Sequence, residues 1–256
     1  MTKKSSLNPQ DIIQAANLIK EARQTVVLTG AGISTGSGIP DFRSEGSGLW
    51  STFDPFEVAS LSAFRYHPER FFQWMRPLAT GILAAKPNNA HQALARLQQA
   101  GLIQLIITQN IDGLHHKAYP SNILEVHGTL RTLTCVGCFK QINSTMYLKP
   151  YIEHGEIPRC PTCGNILKPD VVLFEEQLPI QVWMQAQEAC SKCDLMIVGG
   201  SSLEVMPVAG LPMRAVENEA HLIIINNTPT YIDPRAEVVI HQNITDVLPA
   251  IVDELI

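Results

Sequence analysis

Apolar and polar positions follow two different periods along the chain, and together they predict alternating strands and helices. Four short runs are apolar at consecutive positions, as expected of strands buried on both faces: 25–29, 103–108, 194–198 and 221–225. Between them, apolar residues recur every three or four positions. This predicts a helix after Pro9 and further helices at 68–85, 89–100, 180–189 and 207–216. The alternation predicts an α/β fold, in which helices cover both faces of a parallel sheet.

The segment 129–167 interrupts this alternation. It contains two cysteine pairs, several prolines and no long apolar run. A segment with so few core-forming residues needs another source of stability, and a structural metal would supply it. We therefore predict that 1–128 and 168–256 together form the parallel-sheet domain, with a ligand-binding loop at 30–50, and that 129–167 is a small inserted module.

Composition and charge exclude several classes of protein. Hydrophobic residues make up 45% of the chain and charged residues 17%, which is not the composition of a disordered protein. The net charge of −5, without a basic run, argues against direct nucleic-acid binding and favours small molecules or basic peptides as partners. The first residues lack the apolar region of a signal peptide, and no run reaches the ~20 apolar residues of a membrane span. We therefore expect a cytoplasmic protein.

The first four cysteines have the spacing of a zinc site. Cys135 and Cys138 form one Cys-x-x-Cys pair, Cys160 and Cys163 form a second, and 21 residues separate the pairs. Four thiolates arranged in this way can surround Zn²⁺ in a tetrahedron. Because no coordination position would remain for water, we expect one structural zinc ion rather than a catalytic one.

A third pair, Cys190 and Cys193, has no further cysteines with which to complete a second site. It lies at the end of a predicted helix, just before the strand 194–198. We interpret this pair as core packing, with a redox role as the alternative.

A glycine-rich turn follows the first strand. In Gly30-Ala31-Gly32-Ile33-Ser34, backbone N–H groups could approach a phosphate closely. Thr35 stands where the dinucleotide-binding fingerprint has its third glycine, which argues against an ordinary dehydrogenase. The long loop that follows contains Asp41, Phe42 and Arg43, which offer a carboxylate, an aromatic face and a cation. A surface loop with a chance ion pair is the alternative.

Polar residues also follow the second predicted strand, and one histidine precedes the inserted module. Gln109, Asn110 and Asp112 come at the carboxyl end of the strand 103–108, where parallel sheets bind ligands, although they could also cap a helix. His127 lies where the large domain meets the insert, and domain junctions often hold clefts. Its imidazole could accept a proton from a hydroxyl group. His115 and His116 are expected to face solvent.

Several of these segments, taken in order, resemble the sirtuin family. The matching segments are 30–34, 38–43, 108–112, 126–128, the four cysteines of the zinc site, 200–203, and Asn226. They extend over nearly the whole chain. The resemblance implies a Rossmann-like NAD-binding domain with a zinc-ribbon insert. NAD and an acyl-lysine peptide would share the cleft between them.

The resemblance further implies roles for individual residues. His127 would be the general base, and Asn110 would contribute to catalysis as well as to binding. Gln109 would contact the ribose of NAD. Ala31, Thr35, Phe42 and Arg43 would line the NAD loop. The pocket that receives nicotinamide would be formed by Asn110, Ile111 and Asp112, with Ser34 and Asp41. Ser201, Ser202 and Asn226 would hold the adenosine half, and Gly30, Gly32 and Gly200 would also contact the cofactor. The substrate peptide would be bound by Val171, Val172, Phe174 and Glu175.

The activity implied is NAD-dependent removal of acyl groups from protein lysines. The acyl oxygen would attack the anomeric carbon of the ribose as nicotinamide leaves, and His127 would activate a ribose hydroxyl. The products would be O-acyl-ADP-ribose and free lysine. Two alternatives are a protein ADP-ribosyltransferase that uses the same site and a zinc-ribbon binding module with a degenerate pocket. The net negative charge argues against a nucleic-acid-binding module.

Two positions depart from the family pattern in ways that bear on the substrate. Sirtuins usually have Phe-Gly-Glu after the zinc module, whereas this chain has Glu175 in place of the glycine. That change removes backbone freedom and adds a charge beside the substrate. Sirtuins that prefer acidic acyl groups carry Tyr-x-x-Arg, but Tyr66 is followed at that spacing by Glu69. This favours acetyl or longer apolar acyl groups over succinyl.

Overall fold

A six-stranded parallel sheet forms the centre of the computed structural model, which describes residues 7–42 and 48–256. The strands in this part of the chain are β1 (Thr25–Thr29), β2 (Leu105–Thr108), β3 (Ile123–Glu125), β4 (Gly128–Cys135), β5 (Gln141–Asn143), β6 (Leu167–Val171), β7 (Leu195–Gly199), β8 (His221–Ile225) and β9 (Val238–Ile240). The order in the large sheet is β3-β2-β1-β7-β8-β9, and every neighbouring pair is parallel. The strand order reverses beside β1, and ligands bind at such a point in open α/β sheets.

Helices cover both faces of this sheet, as the apolar pattern predicts. The described helices are α1 (Pro9–Glu21), α2 (Pro55–Val58), α3 (Leu61–Tyr66), α4 (Pro68–Ala84), α5 (Asn89–Gln99), α6 (Leu114–Ala118), α7 (Thr145–His154), α8 (Ile180–Lys192), α9 (Leu211–Glu217) and α10 (Ile244–Leu255). Buried residues of α1, α5 and α10 form one hydrophobic cluster with the sheet, and those of α8 and α9 form a second. Every residue of β1 and β7 is buried, so the α/β fold class is confirmed.

Residues 128–171, which include the predicted module, form a separate three-stranded antiparallel sheet in the order β5-β4-β6. Gly128 pairs with Val171 at the start of this sheet, with a φ of 78°. A Cβ atom on Gly128 would lie 2.0 Å from the carbonyl oxygen of Asp170, so only glycine fits this position. The small sheet therefore begins directly after His127, and its last strand leads into the segment 172–176.

Helix α7 connects the insert to the helical segment α2–α4. The Tyr151 hydroxyl donates to the carbonyl oxygen of Phe72, and the Arg76 guanidinium donates to those of Ile152 and Glu153. A third hydrophobic cluster joins α4 and α7. The two segments that project from the large sheet thus pack against each other. Among the helices in the described ranges, none has both the length and the apolar character needed to cross a bilayer.

Candidate active site

Polar side chains at the carboxyl ends of β1 and β2 form a buried hydrogen-bond network. Asn110 donates from Nδ2 to the Gly30 carbonyl oxygen (3.0 Å) and to Ser34 Oγ (3.2 Å). The Ser34 hydroxyl in turn donates to Asp112 Oδ2 (2.7 Å). Burial raises the pKa of Asp112, while hydrogen bonds from Leu114 and Ser34 oppose that rise. These polar residues, which follow two strands separated by more than 70 residues, therefore form one rigid group.

Gln109 connects this network to His127. The ring nitrogen Nδ1 of His127 lies 3.1 Å from the Gln109 carbonyl oxygen. A carbonyl oxygen only accepts hydrogen bonds, so Nδ1 carries a proton, and in the neutral ring the lone pair is on Nε2. The Gln109 side chain donates to Ser201 Oγ (2.9 Å), which lies beyond the end of β7. This hydrogen bonding fixes the imidazole in the tautomer that a general base requires.

The two glycines of the first turn pack directly against the loop after β7. The N–H groups of Gly30 and Gly32 donate to the carbonyl oxygens of Gly199 and Gly200. A Cβ atom on either Gly30 or Gly32 would lie 2.8 Å from the Gly200 oxygen. The N–H groups of these two glycines are therefore already bonded within the protein. Glycine is needed here because two backbones touch.

The remaining residues expected to bind the cofactor lie along the same edge of the sheet. Ser201 and Asn226 are buried just after β7 and β8, and Ser202 is half-buried beside Ser201. Ala31 and Thr35 lie in a short 3-10 helix, Ala31–Ser37, in which the Thr35 hydroxyl donates to the Gly32 carbonyl. Asp41 and Phe42 are half-buried where this segment ends. Arg43 lies outside the described residues.

A cavity of about 570 Å³ opens beside His127. The expected ligand-binding residues that line it are Phe42, Gln109, Ile111, His127, Val171, Val172, Phe174 and Glu175. Phe42, Trp50 and Trp74 form consecutive ring contacts along its wall, with centroids 5.1 and 5.7 Å apart. The cavity is therefore mainly aromatic and aliphatic, with an imidazole at one side.

Sequence reasoning missed Trp50 and Trp74 as residues of this wall. Trp50 contacts Phe174 from the segment after β6, with ring centroids 6.0 Å apart, and stacks on Trp74 from α4. The aromatic character of both positions was visible in the sequence. Their convergence was not, because it depends on how the helices α2–α4 fold back over the cleft.

The four cysteines Cys135, Cys138, Cys160 and Cys163 form a single cluster, with all sulfur atoms within 4.8 Å of one another. The Cys135–Cys163 and Cys138–Cys160 sulfur distances are 3.4 and 3.6 Å. Tetrahedral ligation with Zn–S bonds of about 2.3 Å places sulfurs about 3.8 Å apart, so these residues fit zinc. The cluster lies at the far end of β4 from His127, in keeping with a structural ion.

Cys190 and Cys193 are buried in the hydrophobic cluster beneath α8 and α9. Burial raises the pKa of Cys190 to about 12 and that of Cys193 to about 11. Thiols with such pKa values remain protonated and poorly reactive at neutral pH, which supports the packing interpretation.

The expectation that His115 faces solvent is wrong, because the side chain is buried behind the polar network. The Thr29 hydroxyl donates to Thr108 Oγ1 (2.9 Å), so Thr29 Oγ1 must accept from Nε2–H of His115 (2.9 Å). The His115 ring lies against that of His91, with centroids 4.9 Å apart. Burial lowers the pKa of His91 to about 4 and that of His115 well below its ordinary value. Both imidazoles are therefore neutral in the folded protein at pH 7.

This buried pair should make the fold sensitive to mild acid. The unfolded chain takes up a proton at each histidine near pH 6.5, whereas folded His91 does so only near pH 4. Stability is therefore complete above pH 6.5 and falls as the pH drops towards 4. From His91 alone, the free energy of unfolding should fall by about 2 kcal/mol between pH 7.5 and pH 5. Urea unfolding at both pH values measures this.

His91→Gln should reduce that pH dependence because the neutral amide does not titrate. His154→Gln is the matched control, since His154 is exposed beside Glu153. An unchanged difference between pH 7.5 and pH 5 in His91→Gln would contradict the assignment.

Comparison with known proteins identifies sequences and structures similar to this chain. The model of the Sir2 family matches residues 30–207. The NAD-dependent protein deacylase 2 of Archaeoglobus fulgidus is 42% identical over 246 residues, covering 96% of each chain. A solved structure of a Sir2 enzyme, reported as "Structural Basis for the Mechanism and Regulation of Sir2 Enzymes", is 42% identical in sequence. Its TM-score is 0.91, and the match covers 97% of this chain and 98% of that one. A Sir2 variant with deacetylated p53 peptide and 3'-O-acetyl-ADP-ribose is 36% identical, with a TM-score of 0.88 over 94% and 97%.

Proposed function

The chain belongs to the Sir2 family, and we propose that it is an NAD-dependent protein-lysine deacylase. The observation that carries this proposal is the position of His127 at the mouth of an apolar cavity, with Nδ1 bonded to Gln109 and the lone pair on Nε2. Gln109 begins the polar run that also supplies Asn110 and Asp112. A base, a polar pocket and an apolar channel thus meet at one point.

The polar pocket fits the nicotinamide half of NAD. Asn110 uses its amide hydrogens on Gly30 and Ser34, and its Oδ1 has no hydrogen-bond partner among the described residues. A buried amide with an unused acceptor suits a ligand that carries donor N–H groups, such as a carboxamide. Ser201, Ser202 and Asn226 continue the polar surface towards the position proposed for adenosine. When bound, NAD would supply the anomeric carbon from which nicotinamide leaves and the ribose that accepts the acyl group.

We propose distinct tasks for the protein groups. Asn110 and Asp112, held by Ser34, orient the nicotinamide end. His127 Nε2 accepts the proton of a ribose hydroxyl, and the Gln109 carbonyl stabilises the imidazolium through Nδ1–H. Phe42 and the tryptophans on the cavity wall exclude water from the reacting atoms. The residues Val171, Val172, Phe174 and Glu175 bind the peptide that carries the acyl-lysine.

The lining of the cavity indicates the acyl class. Among its described residues there is no arginine or lysine to pair with an acidic acyl group, while Glu175 and Glu176 add negative charge. Apolar and aromatic side chains provide most of the surface. We therefore propose acetyl and longer apolar acyl groups as substrates rather than succinyl.

A product analysis tests the activity. Acetyl-lysine peptide and NAD should yield nicotinamide, O-acetyl-ADP-ribose and deacetylated peptide in equal amounts, measured by chromatography with mass spectrometry. A succinyl-lysine peptide of the same sequence should react much more slowly. Nicotinamide release that needs no acylated peptide and leaves ADP-ribose on protein would instead support an ADP-ribosyltransferase. Intact NAD under all conditions would leave only the binding-module alternative.

We further propose that the protein acts in the cytoplasm, on acylated proteins and without direct contact with nucleic acid or membrane. None of its six cysteines, all of which lie in the described ranges, forms a disulfide, and four of them gather in the zinc-type cluster, as suits a reducing compartment. The net charge of −5 favours basic peptide segments over phosphate backbones. The module 129–167 is proposed to act as a metal-stabilised support for the cleft.

A further inference from the structure

The residue that departs from the family pattern, Glu175, has an unusual backbone conformation. Its φ is 73°, in the left-handed region that non-glycine residues rarely adopt. Its backbone N–H and C=O make no hydrogen bond within the described part of the chain. The residue also lines the cavity beside His127. An unfavourable conformation at such a position requires a compensating interaction.

The side chain of Glu175 supplies that interaction. Its Oε2 accepts a hydrogen bond from the backbone N–H of Ser62 in the first turn of α3, at 2.9 Å. The neighbouring residue Phe174 is joined to the same segment, because Leu61 N–H donates to its carbonyl and its own N–H donates to Ala59. Three hydrogen bonds therefore attach residues 174–175 to residues 59–62. Ser62, through its hydroxyl and its backbone N–H, lowers the pKa of Glu175, so the carboxylate stays ionised.

The other residues of this segment are also fixed. Val172 N–H donates to the His127 carbonyl, and Leu173 N–H donates to Glu176, which pairs with Lys168 at 2.9 Å. Within 172–176, Glu175 is thus the residue whose backbone N–H and C=O both lack a hydrogen bond, although the residues on either side of it are hydrogen-bonded. Glu175 lies in a turn that the Glu176 N–H closes on the Leu173 carbonyl, and its own N–H and C=O are left to pair with an extended peptide that lies along this segment.

We propose that Glu175 is a positioning residue for the acyl-lysine peptide, and that its side-chain bond to Ser62 holds its own backbone in the conformation that pairs with the substrate. This inference rests on the proposed deacylase function. Glycine at position 175 would allow the same conformation but would not hold it, so part of the binding free energy would be lost in ordering the segment. In this chain the hydrogen bond from the Ser62 N–H to the Glu175 carboxylate, called the clasp below, orders the segment before the peptide binds.

The test compares Glu175→Gly with Glu175→Gln. Glycine removes the clasp without strain, so KM for an acetyl-lysine peptide should rise about tenfold, as expected when one hydrogen bond to a charged group is lost. The kcat at saturating peptide and the KM for NAD should not change. Glutamine keeps an oxygen that can accept from Ser62, so Glu175→Gln should stay within about threefold of the unsubstituted protein. Glu188→Gln, at an exposed acidic residue on α8, is the matched control and should change nothing.

A second readout does not depend on catalysis. Binding of a fluorescein-labelled acetyl-lysine peptide, followed by anisotropy without NAD, should weaken about tenfold in Glu175→Gly. Amide exchange in residues 59–62 should become faster in the same variant. Unchanged peptide affinity in Glu175→Gly, or an equal loss in both variants, would overturn the clasp. Failure of the unsubstituted protein to cleave NAD with any acyl peptide would instead overturn the deacylase function.

Discussion

Replacing His127 by alanine is expected to lower kcat/KM for an acetyl-lysine peptide by about 1000-fold, within the range that a positioned general base contributes. His127 Nδ1 lies 3.1 Å from the Gln109 carbonyl oxygen and holds its proton there. The lone pair of the neutral ring is therefore on Nε2, where it can accept a proton. Without it, no side chain would accept the ribose proton as the acyl group is transferred. Steady-state release of nicotinamide with saturating NAD measures the loss.

Two further variants separate a lost base from a disturbed fold. Asparagine at position 127 can still donate to the Gln109 carbonyl but cannot accept a proton at neutral pH, so His127→Asn should be as inactive as His127→Ala. His154→Ala, at an exposed histidine of α7, should retain full activity. The thermal midpoint of His127→Ala should stay close to that of the unsubstituted protein because the side chain is only half-buried. Turnover by His127→Asn at the normal rate would refute the assignment.

The sequence predicted the central sheet because its strands are buried on both faces. β1, β7 and β8 were visible as apolar runs, and the polar residues predicted to follow β2 lie beside those that follow β1 at one edge of the sheet. β3 and β9 were missed because each has only three residues and lies at an edge of the sheet. Periodicity cannot distinguish such short edge strands from loops.

Other features depend on tertiary contacts that no local pattern encodes. Helix α7 contains Pro150 and lies within the segment 129–167, where no long apolar run predicts a helix, yet it packs on α4 through Tyr151. His115 lies in a polar run that favours exposure, but the side chain is buried because α6 packs over the end of β1. The close approach of the first-turn glycines to the backbone of Gly200 also joins residues that are far apart in the sequence.

Removal of zinc should have the second large effect, and it should spread from the insert to the peptide-binding segment. Within the described part of the chain, the hydrophobic cluster around the cysteines has only four buried residues, Leu133, Cys135, Cys160 and Leu167, and two of these are ligands. Structural zinc contributes an apparent binding free energy of about 10–16 kcal/mol in small domains, far more than two buried leucines provide. We therefore expect that the β5-β4-β6 sheet is not stable without the metal.

The geometry of β4 and β6 then predicts the functional consequence. These strands pair from Gly128, beside the proposed base, to Cys135 at the metal cluster, and β6 continues into residues 172–176 of the peptide groove. Cys160→Ser should therefore lower the zinc content from one ion per chain to near zero and abolish acyl-peptide binding. The large sheet has its own hydrophobic clusters on both faces and should retain its helical circular dichroism.

Three measurements on the same samples check these steps. Plasma mass spectrometry gives the zinc content, fluorescence anisotropy gives peptide binding, and circular dichroism gives the helical content. Cys193→Ala is the matched control because this thiol is buried away from the cluster, and it should retain one zinc ion and full peptide binding. A Cys160→Ser protein that lacks zinc but binds peptide and turns over normally would show that the insert is held by its own packing. The dependence of the groove on the metal would then be wrong, although His127 could still be the base.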